Sequence, residues 1–303
     1  MKKLTRVLSG VLAGLMVLGL AACGGTSVAP AATTAAPATT AAAPAEDTTA
    51  AAALDADVQA IVDRGVLRVG VKNAVLGFGY QDPITGEYSG MEIDLANALA
   101  AQLGVDVEFT TVTAATRTEL LDSGDIDCVL ATFTITEERK QSWDFTTPYY
   151  TDHVTVLVED ASGIKTLADL KDKLVGVSSG STSARALTAA MIDAGVIDGA
   201  GFDKETFDAA TWKDGISFQQ FDDYPGISTA LAAGQVDAFC VDKSILAVYK
   251  TEGRSYIADE FAPQEYGIAT KKDSGFSTYC EDFIQTKLAD GTIAGLIETY
   301  NLG

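Results

Sequence analysis

From Leu54 onward the chain alternates between two apolar rhythms. Val66–Val71 (VLRVGV) is a short, nearly continuous apolar run of the kind a buried strand carries. Asp82–Gly86 (DPITG) has turn chemistry, and the stretch after it places Ile93, Leu95, Leu99 and Leu103 at helical spacing, with Gly104 as the stop. Val105–Val112 reads as a strand, Thr116–Gly124 as a short helix and Asp127–Phe133 as a buried strand. In Thr134–Phe145 (TITEERKQSWDF), Thr136 has the hydroxyl of a helix N-cap, and Glu137 and Glu138 suit the positive end of the helix dipole, so a helix is predicted there with Trp143 in its core. Strands alternating with helices predict an α/β protein built on open sheets.

One echo within the chain refines this. LLDSGDIDCVLAT ends at Thr132, and ALAAGQVDAFCVD ends at Asp242; each is a helix end, a glycine, an Ile/Val-Asp pair and a buried strand. Two lobes of similar build are therefore expected. Thr132 and Asp242 occupy equivalent strand ends, where ligands collect in open α/β sheets. In the second lobe, LVGVSSGSTSARAL reads strand, turn, helix. Gly180, Ser181 and Thr182 there put free backbone N–H groups at a helix start, an arrangement that either caps the helix or receives an anion.

The first fifty residues follow different rules. Residues 1–22 have Lys2, Lys3 and Arg6 ahead of the short apolar run Val7–Leu20, as an export signal does. The run ends in Leu20-Ala21-Ala22-Cys23, which resembles the bacterial lipobox. That resemblance implies cleavage before Cys23 and a lipid anchor on it. Residues 23–54 are nearly all Ala, Thr and Pro, with no face to bury, and are expected to be a disordered tether reaching about 100 Å at roughly 3.3–3.6 Å per residue.

Charge narrows the partners. The 303 residues carry a formal −21, and loss of three cations with residues 1–22 takes this to about −24. Nucleic acid is excluded as a partner, because its binding needs Lys and Arg to displace counterions. A small anion would approach against the overall field, so cations close to the site must prevail at short range. Arg139 raises that question directly, since a cation in the first turn of a helix faces the positive pole. Either Glu137 or Glu138 neutralises it, or an anion arrives from outside. Cys128, Cys240 and Cys280 show no CxxC or metal-ligand spacing with the single His153. Buried thiols are expected from the apolar runs around Cys128 and Cys240, with a disulfide left open. No metal or cofactor is expected.

Four segments now carry a family resemblance: GEYSGMEIDLANALAAQLG, DIDCVLATFTITEERKQSWDFTTPYY, VGVSSGSTS and GQVDAFCVDKS. Together, and in this order, they resemble the polar amino-acid substrate-binding proteins of ABC transporters, solute-binding family 3, from about Val66 to the C-terminus. The resemblance implies a type II periplasmic-binding-protein fold, with two α/β lobes joined by a two-strand hinge crossed near Thr151–Leu157 and Ala258–Tyr266. Lobe one would comprise 55–153 plus 263–303, and lobe two 154–262. It further implies a monomer that closes on a small amino acid and docks on the membrane subunits of an ABC permease.

By the same resemblance, Arg139 grips the ligand α-carboxylate, with Thr132 and Thr134 beside it and Ser181 and Thr182 facing from lobe two, while Asp242 takes the ammonium. The relatives that bind basic amino acids have an acid where this chain has Lys72, and an aromatic where it has Val75. Phe78 and Tyr80 remain as candidate pocket walls. Arg117 matches an arginine near the ligand side chain in glutamate- and aspartate-binding members, so Lys72 and Arg117 together point to a second carboxylate. Glutamine and asparagine stay open as ligands. So does a solvated Arg117 paired with Glu119 or Asp122. Tyr149 and Tyr150 are expected to pack at the hinge, His153 to lie on the hinge surface, and Glu92 and Asp94 to favour a helix start rather than touch ligand. The alternatives from other classes are a sensor domain and a dehydratase-like enzyme. The enzyme would need a placed acid, base or nucleophile, for which the chain offers no G-x-S-x-G or HExxH.

Overall fold

The computed structural model describes residues 53–303; the expected signal peptide, the Cys23 lipidation site and nearly all of the tether lie outside the described residues. In chain order the first part contains α1 (Ala56–Arg64), β1 (Val66–Val71), β2 (Ala74–Val75), β3 (Gly79–Gln81), β4 (Tyr88–Ser89), α2 (Met91–Leu103), β5 (Asp106–Thr111), α3 (Arg117–Ser123), β6 (Cys128–Leu130) and β7 (Trp143–Phe145). Next come β8 (Tyr150–Glu159), β9 (Leu174–Ser178), α4 (Ser183–Asp193), β10 (Ser217–Phe221), α5 (Tyr224–Ala232), β11 (Ala238–Asp242), α6 (Lys243–Leu246) and β12 (Arg254–Tyr256). The chain finishes with β13 (Phe261–Tyr266), β14 (Ala269–Lys271), α7 (Gly275–Ala289) and α8 (Thr292–Thr299).

Two five-strand paths organise these elements. The first sheet has the order β5-β1-β6-β14-β7, and the second has β10-β9-β11-β8-β12. In the first, β1 is parallel to β5 and β6, while β14 runs antiparallel to β6 and β7. In the second, β9 is parallel to β10 and β11, and β8 is antiparallel to β11 and β12. A three-strand meander, β2-β3-β4, adjoins the first sheet. This is the mixed α/β, two-lobed architecture of type II periplasmic binding proteins. Chain passes between the lobes on β8 and β13, which pair antiparallel with Tyr150 opposite Tyr266, so the connection is a two-strand ribbon. The register slips between Phe261 and Pro263, where the proline has no N–H to give the ladder.

Local chemistry accounts for the elements that the sequence predicts correctly. All four apolar positions named in α2 are buried, and Gly104 ends the helix in the left-handed conformation with its N–H returned to Ala100 O. In β1 the burial runs on without a break toward the carboxyl end; Val69, Gly70 and Val71 are all buried, as a parallel strand covered on both faces requires. In the second lobe, Val156, Val175, Leu187, Met191 and Phe218 form the core between sheet and helices.

Two expectations fail. Thr134–Phe145 is not a helix: Thr136 does cap one turn, accepting Arg139 N at 3.1 Å, but only a short 3-10 turn, Arg139–Gln141, follows. Trp143–Phe145 is instead β7, because its aromatic residues pair with β14 and pack on Phe133, a tertiary gain that outweighs local helix preference. The strand predicted at Asp127–Phe133 pairs only over Cys128–Leu130, and the chain then bends at Thr132, whose φ of 45° lies in the left-handed region. Cys128, Cys240 and Cys280 are free and buried, which closes the disulfide alternative. Trp212 joins an aromatic cluster with Phe202 and Phe207.

Candidate functional site

The parallel strands of both sheets point their carboxyl ends at one gap. A nearly filled cavity of about 10 Å³, room for about one water, lies there. Seven of the nine ligand residues expected from the sequence line it: Arg117, Thr132, Thr134, Arg139, Ser181, Thr182 and Asp242. Ser183 and Tyr224 join them, neither foreseen. Lys72 and Phe78 are not in its lining. The lobes approach closely here, because Gly180 has no side chain; a Cβ on it would stand 2.7 Å from Ala114 O.

Arg139 answers the question its position raises. Glu137 pairs with Lys140 at 2.8 Å and Glu138 reaches Arg185 of the second lobe at 2.7 Å, so neither forms an ion pair with it. Its guanidinium donates to Thr134 O at 2.7 Å and across the gap to Gly180 O at 3.0 Å. Arg117, the first residue of α3, is 3 % exposed, which rules out a solvated helix-start residue; Asp122 is engaged by Trp143 instead. One edge of the Arg117 guanidinium donates to Ala131 O at 3.0 Å, its Cζ lies 3.7 Å from the Phe133 ring centroid, and its Nε has no partner. Burial lowers it to about 10. Burial, followed by Arg117, also lowers Arg139 and Lys72 well below their usual ranges. Lys72 sits just outside the cavity with Nζ 5.3 Å from the Tyr224 ring. Among the described residues none of these three cations makes an ion pair within 4 Å.

Acid faces them from two sides. Asp242 is 4 % exposed at the end of β11, accepts from the Tyr266 hydroxyl and is pushed up to about 7, mainly by burial and then by Asp152. Glu92, expected only to favour a helix start, is fully buried. It accepts from Thr132 N at 2.6 Å and Tyr149 OH at 2.5 Å, and is raised chiefly by burial. Glu92 thus holds the strained Thr132 backbone in place, and positive φ at a β-branched residue is an outlier of the kind found at functional sites. Tyr149, expected to pack at the hinge, is buried and gives its hydroxyl hydrogen to Glu92. Asp94, by contrast, stays outside, accepting from Tyr300 OH. Phe78 is fully buried and meets Tyr150 and Tyr266 edge-on at 5.0 and 5.8 Å, so it backs the tyrosine that serves Asp242 rather than walling the cavity. Tyr80 is on β3, likewise away from the lining.

Gln264 on β13, likewise unforeseen, joins the lobes. Its Oε1 accepts from Thr134 Oγ1 at 2.8 Å and from Thr182 Oγ1 at 2.7 Å. The amide orientation is fixed, because Nε2 faces the carbonyls of Ala262 and Pro263, which can only accept. Each threonine therefore spends its one hydroxyl hydrogen on Gln264 and presents lone pairs elsewhere.

Buried polar atoms without a partner are few in folded proteins. Five occur among the described residues, and four are at this site or directly behind it: Arg117 Nε, Thr132 Oγ1, Ser183 Oγ and Glu92 Oε2. No cluster of metal-ligating side chains occurs among the described residues, and no described helix is long and apolar enough to cross a membrane.

Two sheets joined by a ribbon, with a small charged cavity where their strands end, define a two-lobed ligand-capture protein. The chain belongs to the bacterial extracellular solute-binding proteins, family 3, whose pattern it matches over residues 67–303. It is 33 % identical over 219 residues to the ABC transporter glutamine-binding protein GlnH of Bacillus subtilis, covering 70 % of this chain and 72 % of that one. The glutamate-binding protein GluB of Corynebacterium glutamicum is 31 % identical over 265 residues, covering 80 % and 81 %. Among solved structures, an ancestral arginine-binding protein bound to arginine superposes with a TM-score of 0.65 at 33 % identity, covering 78 % of this chain and 98 % of that one.

Proposed function

We propose that this protein captures a polar amino acid outside the cell membrane, glutamate or aspartate by preference, and delivers it to an ABC permease. It does so as a monomer anchored by lipid at Cys23, and it binds without turnover. The observation that carries the ligand class is the charge at the cavity. Lys72, Arg117 and Arg139 lack ion pairs among the described residues, against Asp242 and Glu92. An acidic amino acid adds the negative charge this balance lacks. Its α-carboxylate would meet Arg139, whose planar fork suits two oxygens at once. Its ammonium would meet Asp242 and the lone pairs of Thr134 and Thr182, and its side-chain carboxylate the free Nε edge of Arg117. Lysine or arginine would meet three like charges, which disfavours them.

One observation favours a second reading. Glu92 Oε2 and Thr132 Oγ1 are unpartnered acceptors, and an uncharged side-chain amide could donate to them, so glutamine stands next. Calorimetry with glutamate, aspartate, glutamine, cystine, lysine and arginine decides between them. Tight binding of glutamate or aspartate with weak binding of glutamine is the expected result. Preference for arginine or lysine, or release of a product from any of them, defeats the proposal.

A further inference from the structure

Two guanidinium groups converge on one aromatic ring beneath the cavity. Arg117 Cζ lies 3.7 Å and Arg139 Cζ 4.7 Å from the centroid of Phe133, which is 1 % exposed. The ring is itself held edge-on by Phe145, with centroids 5.0 Å apart, and flanked by Trp143 at 6.4 Å. That clamp explains why β7 exists in place of the expected helix. The two arginines repel one another in a poorly solvated place, and among the described residues neither makes an ion pair within 4 Å, the acids Asp242, Glu92 and Glu138 acting from farther off. Backbone carbonyls hold one edge of each, which leaves the opposite edge of Arg117 free. In direct contact with both, the negative face of the ring also offsets the repulsion, an attraction that grows when water is excluded.

We infer that Phe133 is a positioning residue for ligand recognition: its π face holds both guanidiniums in the site, so that one ring sets the geometry of the α-carboxylate grip and of the side-chain grip together. This rests on the reading of the cavity as an amino-acid site. An aliphatic residue of similar volume would fill the space and keep the fold, but the two cations would separate and bind carboxylates less well. The loss should be larger for glutamate, held by both arginines, than for glutamine, held by Arg139 alone.

The test replaces Phe133 site-specifically with mono-, di- and trifluorinated phenylalanine, which drains the ring face of charge while changing its size little. Affinity for glutamate is measured by calorimetry and folding by thermal melting. The expected result is a stepwise weakening that follows the number of fluorines, about tenfold in all, with an unchanged melting temperature, beside a weakened Phe133→Leu. An affinity that is flat across the series, or one that falls equally at the first fluorine, overturns the inference. A wild-type protein that binds glutamine and not glutamate refutes the acidic-ligand reading instead. In that case the same series run with glutamine still tests the ring through Arg139, with a smaller slope supporting the inference and a flat one overturning it.

Discussion

Acidification is expected to weaken ligand capture about a hundredfold between about pH 8 and about pH 5, and the cause is Asp242. Its carboxyl is fully enclosed and stands at about 7. Asp152 on β8 lies close by and accepts from Ser244 N and His153 N, whereas Asp242 accepts only from Tyr266 on β13 among the described residues. Arg117 and Arg139 face it across the cavity and pull the other way, less strongly than burial. A ligand ammonium beside Asp242 favours the ionised form, so its pKa falls on binding and a proton leaves. The sign follows: affinity is at its plateau above about 7 and drops tenfold per pH unit below it. Two units correspond to about 2.7 kcal/mol. Calorimetry in buffers of different ionisation enthalpy reads both the affinity and the proton released, which should approach one near pH 6 and vanish near pH 8. Glu92 is also raised, so Glu92→Gln serves as the control that should keep the dependence, while Asp242→Asn should lose affinity at every pH. A dissociation constant that is flat from pH 8 to 5, or no proton release in any buffer, refutes the reasoning.

Arg139→Ala should cost every amino-acid ligand about 2–5 kcal/mol in a binding titration, since it leaves a carboxylate unpaired in a desolvated site. In the same assay Arg117→Ala should weaken glutamate by roughly ten- to a hundredfold and glutamine by much less; equal losses would remove the side-chain role assigned to Arg117. Gln264→Leu should lower affinity by about 1–3 kcal/mol, mainly through faster release in stopped-flow fluorescence, because it unties Thr134 from Thr182. Cys128, Cys240 and Cys280 are buried and their thiols are raised by desolvation, so mass-spectrometric mapping after alkylation should find all three unmodified until the protein is denatured.

Legibility from the sequence differs by the kind of signal. The buried parallel strands and α2 announce themselves in local apolar spacing, and the echo around Gly124 and Gly234 is enough to place Thr132 and Asp242 at equivalent strand ends. What is not legible depends on partners far along the chain. Glu92 reads as a dipole-complementing acid because the group it serves, Thr132 N, is forty positions away. Gln264 carries no local pattern at all, and its two hydroxyl partners come from opposite lobes. β7 escapes a local reading because helix-start chemistry at Thr136 is real but spans one turn, whereas the partners that make Trp143–Phe145 a strand are Phe133 and β14. Resemblance alone places Phe78 in the wall, while its fully buried ring belongs to the tyrosine stack behind it.

The position of β14 has a consequence for how the molecule is assembled. This three-residue strand lies between β6 and β7, with Ala269 opposite both Val129 and Phe145. While the chain is being made and exported, the two neighbours it must separate emerge early, and the whole second lobe follows before their partner arrives. Until then β6 and β7 have exposed ladder edges that invite mispairing. The second lobe, contiguous in sequence, has no such delay, so it matures as an inserted module inside an unfinished host, and the late, long-range docking of β14 is the natural bottleneck of maturation.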